Sequence, residues 1–151
     1  MVRLLTRQGK TLALAESCTG GFIANQITNV PGASAVFPGG IVAYSNDAKR
    51  KFLGVRAETL ARHGAVSEAA ARAMAEGALK RFGADFAIAV TGVAGPGGGT
   101  KSKPVGTAFI ALAGGGETVV EQILNPLDRE QFKQATANQA LKILHLRLKG
   151  R

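Results

Sequence analysis

Hydrophobic and polar positions alternate along this chain in blocks that spell out a β/α order. The run Thr11–Ala15 is a short apolar strand ending in polar residues and Gly20-Gly21. A helix is expected next, with Phe22, Ile23, Ile27 and Val30 on its apolar side and Asn25, Gln26 and Asn29 facing out, stopped by Pro31-Gly32. A second strand spans Gly40–Tyr44, after which Asn46 is placed to cap a helix over Asp47–Phe52 that closes at Gly54. Residues 57–62 form a short helix ending at Gly64, and Ser67 caps an alanine-rich helix from Glu68 to Phe82, closed by Gly83. Phe86–Val90 is a buried strand that runs into the glycine-rich loop 91–100. Val105–Ala113 and Thr118–Leu124 form a hairpin around Gly114-Gly115-Gly116, and Asp128 caps a last helix bearing Phe132, Ala135, Leu141, Ile143 and Leu144.

The resulting order, β-α-β-α-α-β-β-β-α, predicts an α/β fold. Helical crossovers make the first three strands parallel, and the hairpin adds antiparallel pairing. The expected architecture is a three-layer α/β/α domain on a five-stranded mixed sheet. In open sheets of this kind ligands bind beyond the carboxyl ends of the parallel strands. The loops after Ala15, Tyr44 and Val90 should therefore meet at one edge, which makes Ser17 and Lys49 neighbours.

Composition narrows the class. At 151 residues, 46% hydrophobic and 19% charged, the chain reads as one domain able to bury a core, and not as a disordered segment. No apolar run reaches the ~18 residues of a membrane span, and the N-terminus lacks the apolar stretch and cleavage site of a signal peptide. The single cysteine, Cys18, leaves no intrachain disulfide and no cysteine-cluster metal site. Together these features point to the cytoplasm. The net charge of +9 is concentrated at the ends: Arg3, Arg7 and Lys10 at one, Lys142, Arg147, Lys149 and Arg151 at the other, with no acid at either. The body is nearly balanced and has no interleaved aromatics, so nucleic acid is not the expected partner.

The chemistry concentrates in the three loops. A serine on a turn between strand and helix sits near backbone N–H groups that can hold an oxyanion, which suits a nucleophile; equally, Ser17 or Thr19 can simply cap the helix. Gly20 and Gly21 let the backbone adopt unusual φ and approach a ligand closely. Neither His63 nor His145 follows a strand at the proposed edge. Lys49 sits in the first turn of its helix, where the dipole and partial burial depress its pKa, so it can act as the base of a Ser-Lys pair; the plainer alternative is a solvated lysine beside Arg50 and Lys51. Tyr44 can relay a proton or stack on a ring, or be a sheet-edge tyrosine only. Cys18 is the rival nucleophile or a small buried residue. Glu16 can bond backbone or orient Lys49. The loop 91–100 offers many N–H groups for an anion, without a P-loop ending.

Taken together, Ala15-Glu16-Ser17-Cys18-Thr19-Gly20-Gly21, Tyr44-Ser45-Asn46 with Lys49, His63-Gly64-Ala65-Val66-Ser67, Thr91-Gly92-Val93-Ala94-Gly95-Pro96 and Lys103-Pro104-Val105-Gly106 closely resemble the C-terminal domain of the competence/damage-inducible protein CinA. The resemblance covers residues 5 to 145. It implies an amidohydrolase without metal or cofactor that turns nicotinamide mononucleotide into nicotinate mononucleotide and ammonia. Ser17 would be the nucleophile, Lys49 the base and Tyr44 a further catalytic residue. Thr19, Gly20, Gly21, Ser45, Asn46, Thr91, Gly92, Ala94, Gly95 and Arg129 would bind substrate, with backbone N–H groups around Thr19–Gly21 holding the oxyanion.

Two departures stand out. The family's first helix would be short here, and its Gly-Asp-Arg reads Leu127-Asp128-Arg129, followed by Lys133. Longer members carry a nucleotide-cofactor-like domain before this one, and activity belonging to that half is not expected of these 151 residues. Three readings remain open: a mononucleotide deamidase, a serine amidase for another small amide or nucleotide, and a non-catalytic nucleic-acid-associated or partner-binding module. A homodimer is the expected assembly.

Overall fold

The computed structural model describes residues 1–150, so Arg151 of the basic C-terminal stretch lies outside the described residues. Its elements are α1 (Val2–Gln8), β1 (Leu12–Glu16), α2 (Phe22–Thr28), a 3-10 turn (Ala33–Ala35), β2 (Gly39–Val42), α3 (Asn46–Leu53), α4 (Ala57–His63), α5 (Glu68–Phe82), β3 (Phe86–Gly92), β4 (Thr107–Gly114), β5 (Glu117–Leu124) and α6 (Arg129–Leu148). All five strands join in one sheet of order β2-β1-β3-β4-β5. β1 pairs in parallel with β2 and with β3, and the β3–β4 and β4–β5 pairs are antiparallel. This is the α/β mixed sheet that the element order predicts. The chain leaves β1 towards β2 and then crosses back to β3, so the order reverses between β1 and β3. The loops after those two strands open on that crevice.

The two faces of the sheet differ in side-chain size. Leu12, Leu14, Ile88, Val90, Ile110 and Leu112 pack on one side with Val2 and Leu5 of α1, Ile23 and Ile27 of α2, and Phe132 and Leu144 of α6. Ala13, Ala15, Ala87, Ala89, Ala111 and Ala113 form the other side, under Ala71, Met74, Ala75 and Ala78 of α5 and Leu53 of α3. Small residues on both partners let helix and sheet approach closely. The approach continues outward, because a Cβ on Gly77 of α5 would stand 1.9 Å from the Leu53 carbonyl oxygen. α3 is therefore held directly on α5, with Lys49 and Leu53, one turn apart, both facing inward.

Several boundaries differ from expectation for identifiable reasons. β2 ends at Val42 and not at Tyr44, because the carbonyls of Ala43 and Tyr44 turn to the Lys49 Nζ instead of continuing the ladder. Ser45, not Asn46, caps α3: its Oγ accepts from the Ala48 N–H at 3.0 Å, and Asn46 is the first helical residue. β4 starts at Thr107, since Thr107 donates to the Pro104 carbonyl in a turn that takes up Val105. α2 stops at Thr28, and residues 33–35 add an unforeseen 3-10 turn. The basic N-terminal stretch forms the seven-residue α1, which buries only Val2 and Leu5 and ends at Gly9. The caps Ser67 and Asp128 stand as expected, each accepting from the N–H three residues on.

Candidate active site

Ser17 immediately follows β1, and its N–H donates to the Val90 carbonyl at 3.0 Å, which ties the turn to the end of β3. Gly20 and Gly21 take φ of 60° and 95°, a left-handed stretch that only glycine adopts freely, and this turns the chain into α2. From the other side of β1, α3 delivers Lys49. Its side chain is 1% exposed, and its Nζ lies 2.9 Å from Ser17 Oγ, 2.8 Å from the Ala43 carbonyl and 3.2 Å from the Tyr44 carbonyl. As an ammonium, Lys49 donates to all three acceptors. As an amine, it keeps both carbonyl bonds and turns its lone pair to the Ser17 hydroxyl, which then donates. Burial pushes Lys49 below the ordinary lysine value, which favours the amine. Among the described residues no carboxylate pairs with it.

Cys18 borders the same space but is unsuited to attack. Burial pushes its thiol up to about 12, against weaker opposing pulls from its own backbone N–H and from Lys49. Glu16, buried at the end of β1, bonds backbone and not Lys49: it accepts from the N–H groups of Gly21, Ile23 and Ala24 at 3.1, 3.1 and 2.8 Å. The Gly20 N–H donates to the Ser17 carbonyl and that of Phe22 to the Thr19 carbonyl. In this turn the N–H groups of Cys18 and Thr19 are the ones left without a backbone acceptor among the described residues, that of Cys18 lying against its own thiol.

These groups open on a pocket of about 300 Å³ lined by Ser17, Cys18, Tyr44, Lys49, Ala65, Val66, Thr91 to Gly95, Gly97, Gly98 and Arg129. Arg129, at the start of α6, bridges its mouth: Nη1 donates to the Gly95 carbonyl and Nη2 to the Tyr44 hydroxyl, each at 2.7 Å. The Tyr44 side chain is otherwise exposed. The N–H groups of Ala94, Gly95, Gly97 and Gly98 have no acceptor among the described residues and form a lining suited to an anion. Thr91 is buried, with its hydroxyl donating to the Ala65 carbonyl.

The residues singled out in sequence divide accordingly. Ser17, Lys49, Tyr44, Thr91, Gly92, Ala94, Gly95 and Arg129 come together around the pocket. Thr19, Gly20 and Gly21 lie behind Ser17, with Thr19 fully buried. Ser45 and Asn46 do not line the pocket either. Ser45 faces a larger groove, about 900 Å³, along the outside of α3 with Arg50, Lys51, Phe52 and Arg56, a space that contains neither Ser17 nor Lys49. Val93, Gly97 and Gly98 belong to the glycine-rich loop expected to hold an anion, whereas Ala65 and Val66 were not expected to line the pocket. They are small and carry no functional group; the only local signal is the Gly64–Ser67 boundary, where the Ser67 hydroxyl donates to the Gly64 carbonyl and fixes the segment between.

Comparison with known proteins agrees with this architecture. Residues 1–148 match the family model described as CinA C-terminal domain. A CinA-like protein of Akkermansia muciniphila is 56% identical over 138 residues, 91% of this chain and 33% of that protein. A CinA-like protein of Thermotoga maritima is 50% identical over 151 residues, 100% of this chain and 37% of its own length. The chain thus spans about a third of the curated relatives it matches. Among solved structures, the competence/damage-inducible protein CihA of Agrobacterium tumefaciens superposes with a TM-score of 0.94 at 45% identity, covering 98% of this chain and 90% of that one. A CinA superfamily protein of Escherichia coli gives 0.90 at 34% identity, covering 94% and 83%. The chain belongs to the CinA C-terminal domain family.

Proposed function

We propose that this domain is a Ser-Lys amidohydrolase whose substrate is nicotinamide mononucleotide, released as nicotinate mononucleotide and ammonia. The observation that carries the reading is the 2.9 Å contact between a fully buried Lys49 Nζ and Ser17 Oγ on the floor of the pocket. A lysine stripped of water and without a carboxylate partner has few uses in a small domain, and each one costs stability; serving as a base is the use that this geometry favours.

The steps follow from the groups present. Neutral Lys49 takes the Ser17 proton while Oγ bonds to the carboxamide carbon. The oxygen that gains charge is directed to the N–H of Cys18, which borders the pocket, a narrowing of the Thr19–Gly21 expectation, since Thr19 is fully buried and the Gly20 and Gly21 N–H groups are already engaged. Lys49 passes its proton to the departing nitrogen, the C–N bond breaks, and ammonia leaves an ester on Ser17. Water then gives a proton to Lys49 and attacks the ester carbon; collapse returns that proton to Ser17 Oγ and frees the carboxylic acid, which loses its remaining proton to solvent as the carboxylate.

Recognition falls to the opposite wall. The α2 N-terminus is already filled by Glu16, so a phosphate is directed to the Ala94–Gly98 N–H groups and to Arg129. A mononucleotide amide carries its anion at one end and its carboxamide at the other, as this pocket requires. The motif set shared with the CinA family supports the pyridine nucleotide as the specific substrate. The reading is tested by following ammonia release from nicotinamide mononucleotide with wild type and Ser17→Ala.

A further inference from the structure

We infer that Glu16 is a positioning residue for the Ser17 turn, selecting which backbone N–H groups face the substrate; this rests on Ser17 acting as the nucleophile. Glu16 is 1% exposed, and no lysine or arginine pairs with it among the described residues. Its charge is balanced instead by three backbone donors at the start of α2, with Oε2 accepting from Gly21 and Ile23 and Oε1 from Ala24. No side chain caps α2 at its own N-cap position, Gly21, so Glu16 does that work from the strand.

The consequence reaches the reacting atoms through the chain. Glu16 directly precedes Ser17, and its carboxylate clamps the far end of the turn at Gly21. Between the two fixed ends lie only four residues, Ser17 to Gly20, and their N–H groups divide sharply. Those of Ser17 and Gly20 are consumed by the Val90 and Ser17 carbonyls, and Thr19 is fully buried, which leaves the N–H of Cys18, without a backbone acceptor among the described residues, as the one at the pocket. A neutral glutamine at position 16 keeps the volume but turns an NH2 group towards backbone N–H groups. The amide keeps one acceptor oxygen where the carboxylate has two, so at least one of the Gly21, Ile23 and Ala24 donors faces another donor and the clamp on the turn weakens.

The test compares wild type, Glu16→Gln and Ala24→Pro in two assays: ammonia release from nicotinamide mononucleotide, and the rate at which a fluorophosphonate labels Ser17. Ala24→Pro deletes only the N–H that meets Oε1, and proline is tolerated in a first helical turn. It therefore serves if Glu16→Gln does not fold. Losing one oxyanion donor outright costs about 100–1,000-fold, so a weakened clamp is expected to lower kcat by about 10–100-fold. KM should stay within about twofold and the pH inflection of the rate should not move, because the remote pocket wall and Lys49 are untouched. The labelling rate should fall in parallel. Wild-type kcat and labelling in a folded variant overturn the inference, as does a loss confined to KM or a displaced pH inflection. If wild type labels at Ser17 but releases no ammonia from nicotinamide mononucleotide, the substrate reading fails alone and the labelling rates still decide the role of Glu16.

Discussion

Lys49 and Ser17 are 32 positions apart in sequence, yet their functional atoms lie 2.9 Å apart, because α3 and the β1 turn rise at the same edge of the sheet. The contact is not an isolated pair. The strand that would have continued past Val42 gives up its carbonyls at Ala43 and Tyr44 to hold the lysine nitrogen, so the end of β2 and the seat of Lys49 are one feature. An ammonium in this seat has three acceptors but little water. The direction of its pKa shift therefore has measurable effects on both rate and stability.

Lowered proton affinity in the folded state gives a definite sign. The unfolded chain keeps its Lys49 proton up to the ordinary lysine pKa of about 10.4, whereas the folded protein releases it earlier. Between those two values the unfolded state binds more protons, so stability rises with pH; below the folded pKa the full cost of burial persists. Relative to Lys49→Met, wild type should gain Tm as pH is raised towards 10, whereas its deamidation rate should climb up to the folded Lys49 pKa and level off above it. A constant Tm difference across that range contradicts a depressed Lys49.

Gly77 should resist replacement by the best helix former. Helix propensity alone favours alanine by about 1 kcal/mol. A Cβ there would press on the Leu53 carbonyl oxygen at 1.9 Å, forcing α3 away from α5. Gly77→Ala is expected to destabilise by about 1–3 kcal/mol in chemical denaturation. It should also lower activity by moving Lys49 relative to Ser17. A neutral or stabilised variant would show that the α3–α5 approach is not fixed.

Arg129 should act mainly through binding. Its guanidinium holds the Gly95 carbonyl and the Tyr44 hydroxyl at the pocket mouth, away from the Ser17–Lys49 contact. Charged hydrogen bonds are worth about 1.5–3 kcal/mol, so Arg129→Ala is expected to raise KM for the mononucleotide by about 10–100-fold, with a smaller change in kcat. Hydrolysis of a phosphate-free nucleoside amide should be nearly indifferent to the substitution. Equal losses on both substrates would remove Arg129 from phosphate recognition and leave it a loop clasp.

The sheet was legible because its signals are local. Short apolar runs such as Phe86–Val90 and the caps Ser67 and Asp128 report on their own neighbourhoods, and the parallel order of three strands then follows from crossover geometry. The meeting of Ser17, Lys49 and the loop after β3 was legible for the same reason. Hydrogen-bond choices made across the fold were not. Whether Glu16 would turn to Lys49 or to the α2 backbone depends on side-chain reach in three dimensions, and so does the early end of β2, which is set by a lysine six positions beyond Ala43. Ser45 and Asn46 are both good caps, and only the backbone angles at Ser45 decide between them. The wall formed by Ala65 and Val66 could not be read as pocket lining, because small apolar residues look alike in core and pocket.

The most direct test of the central claim is ammonia release from nicotinamide mononucleotide by purified wild type, Ser17→Ala, Cys18→Ala and Lys49→Met, each verified as folded. Loss of a nucleophile or its base typically costs about 10⁴–10⁶-fold. The account predicts steady release by wild type and by Cys18→Ala, whose thiol is held protonated by burial, and only residual release by Ser17→Ala and Lys49→Met. Full activity in both Ser17→Ala and Lys49→Met, or loss in Cys18→Ala with Ser17→Ala unaffected, would contradict it.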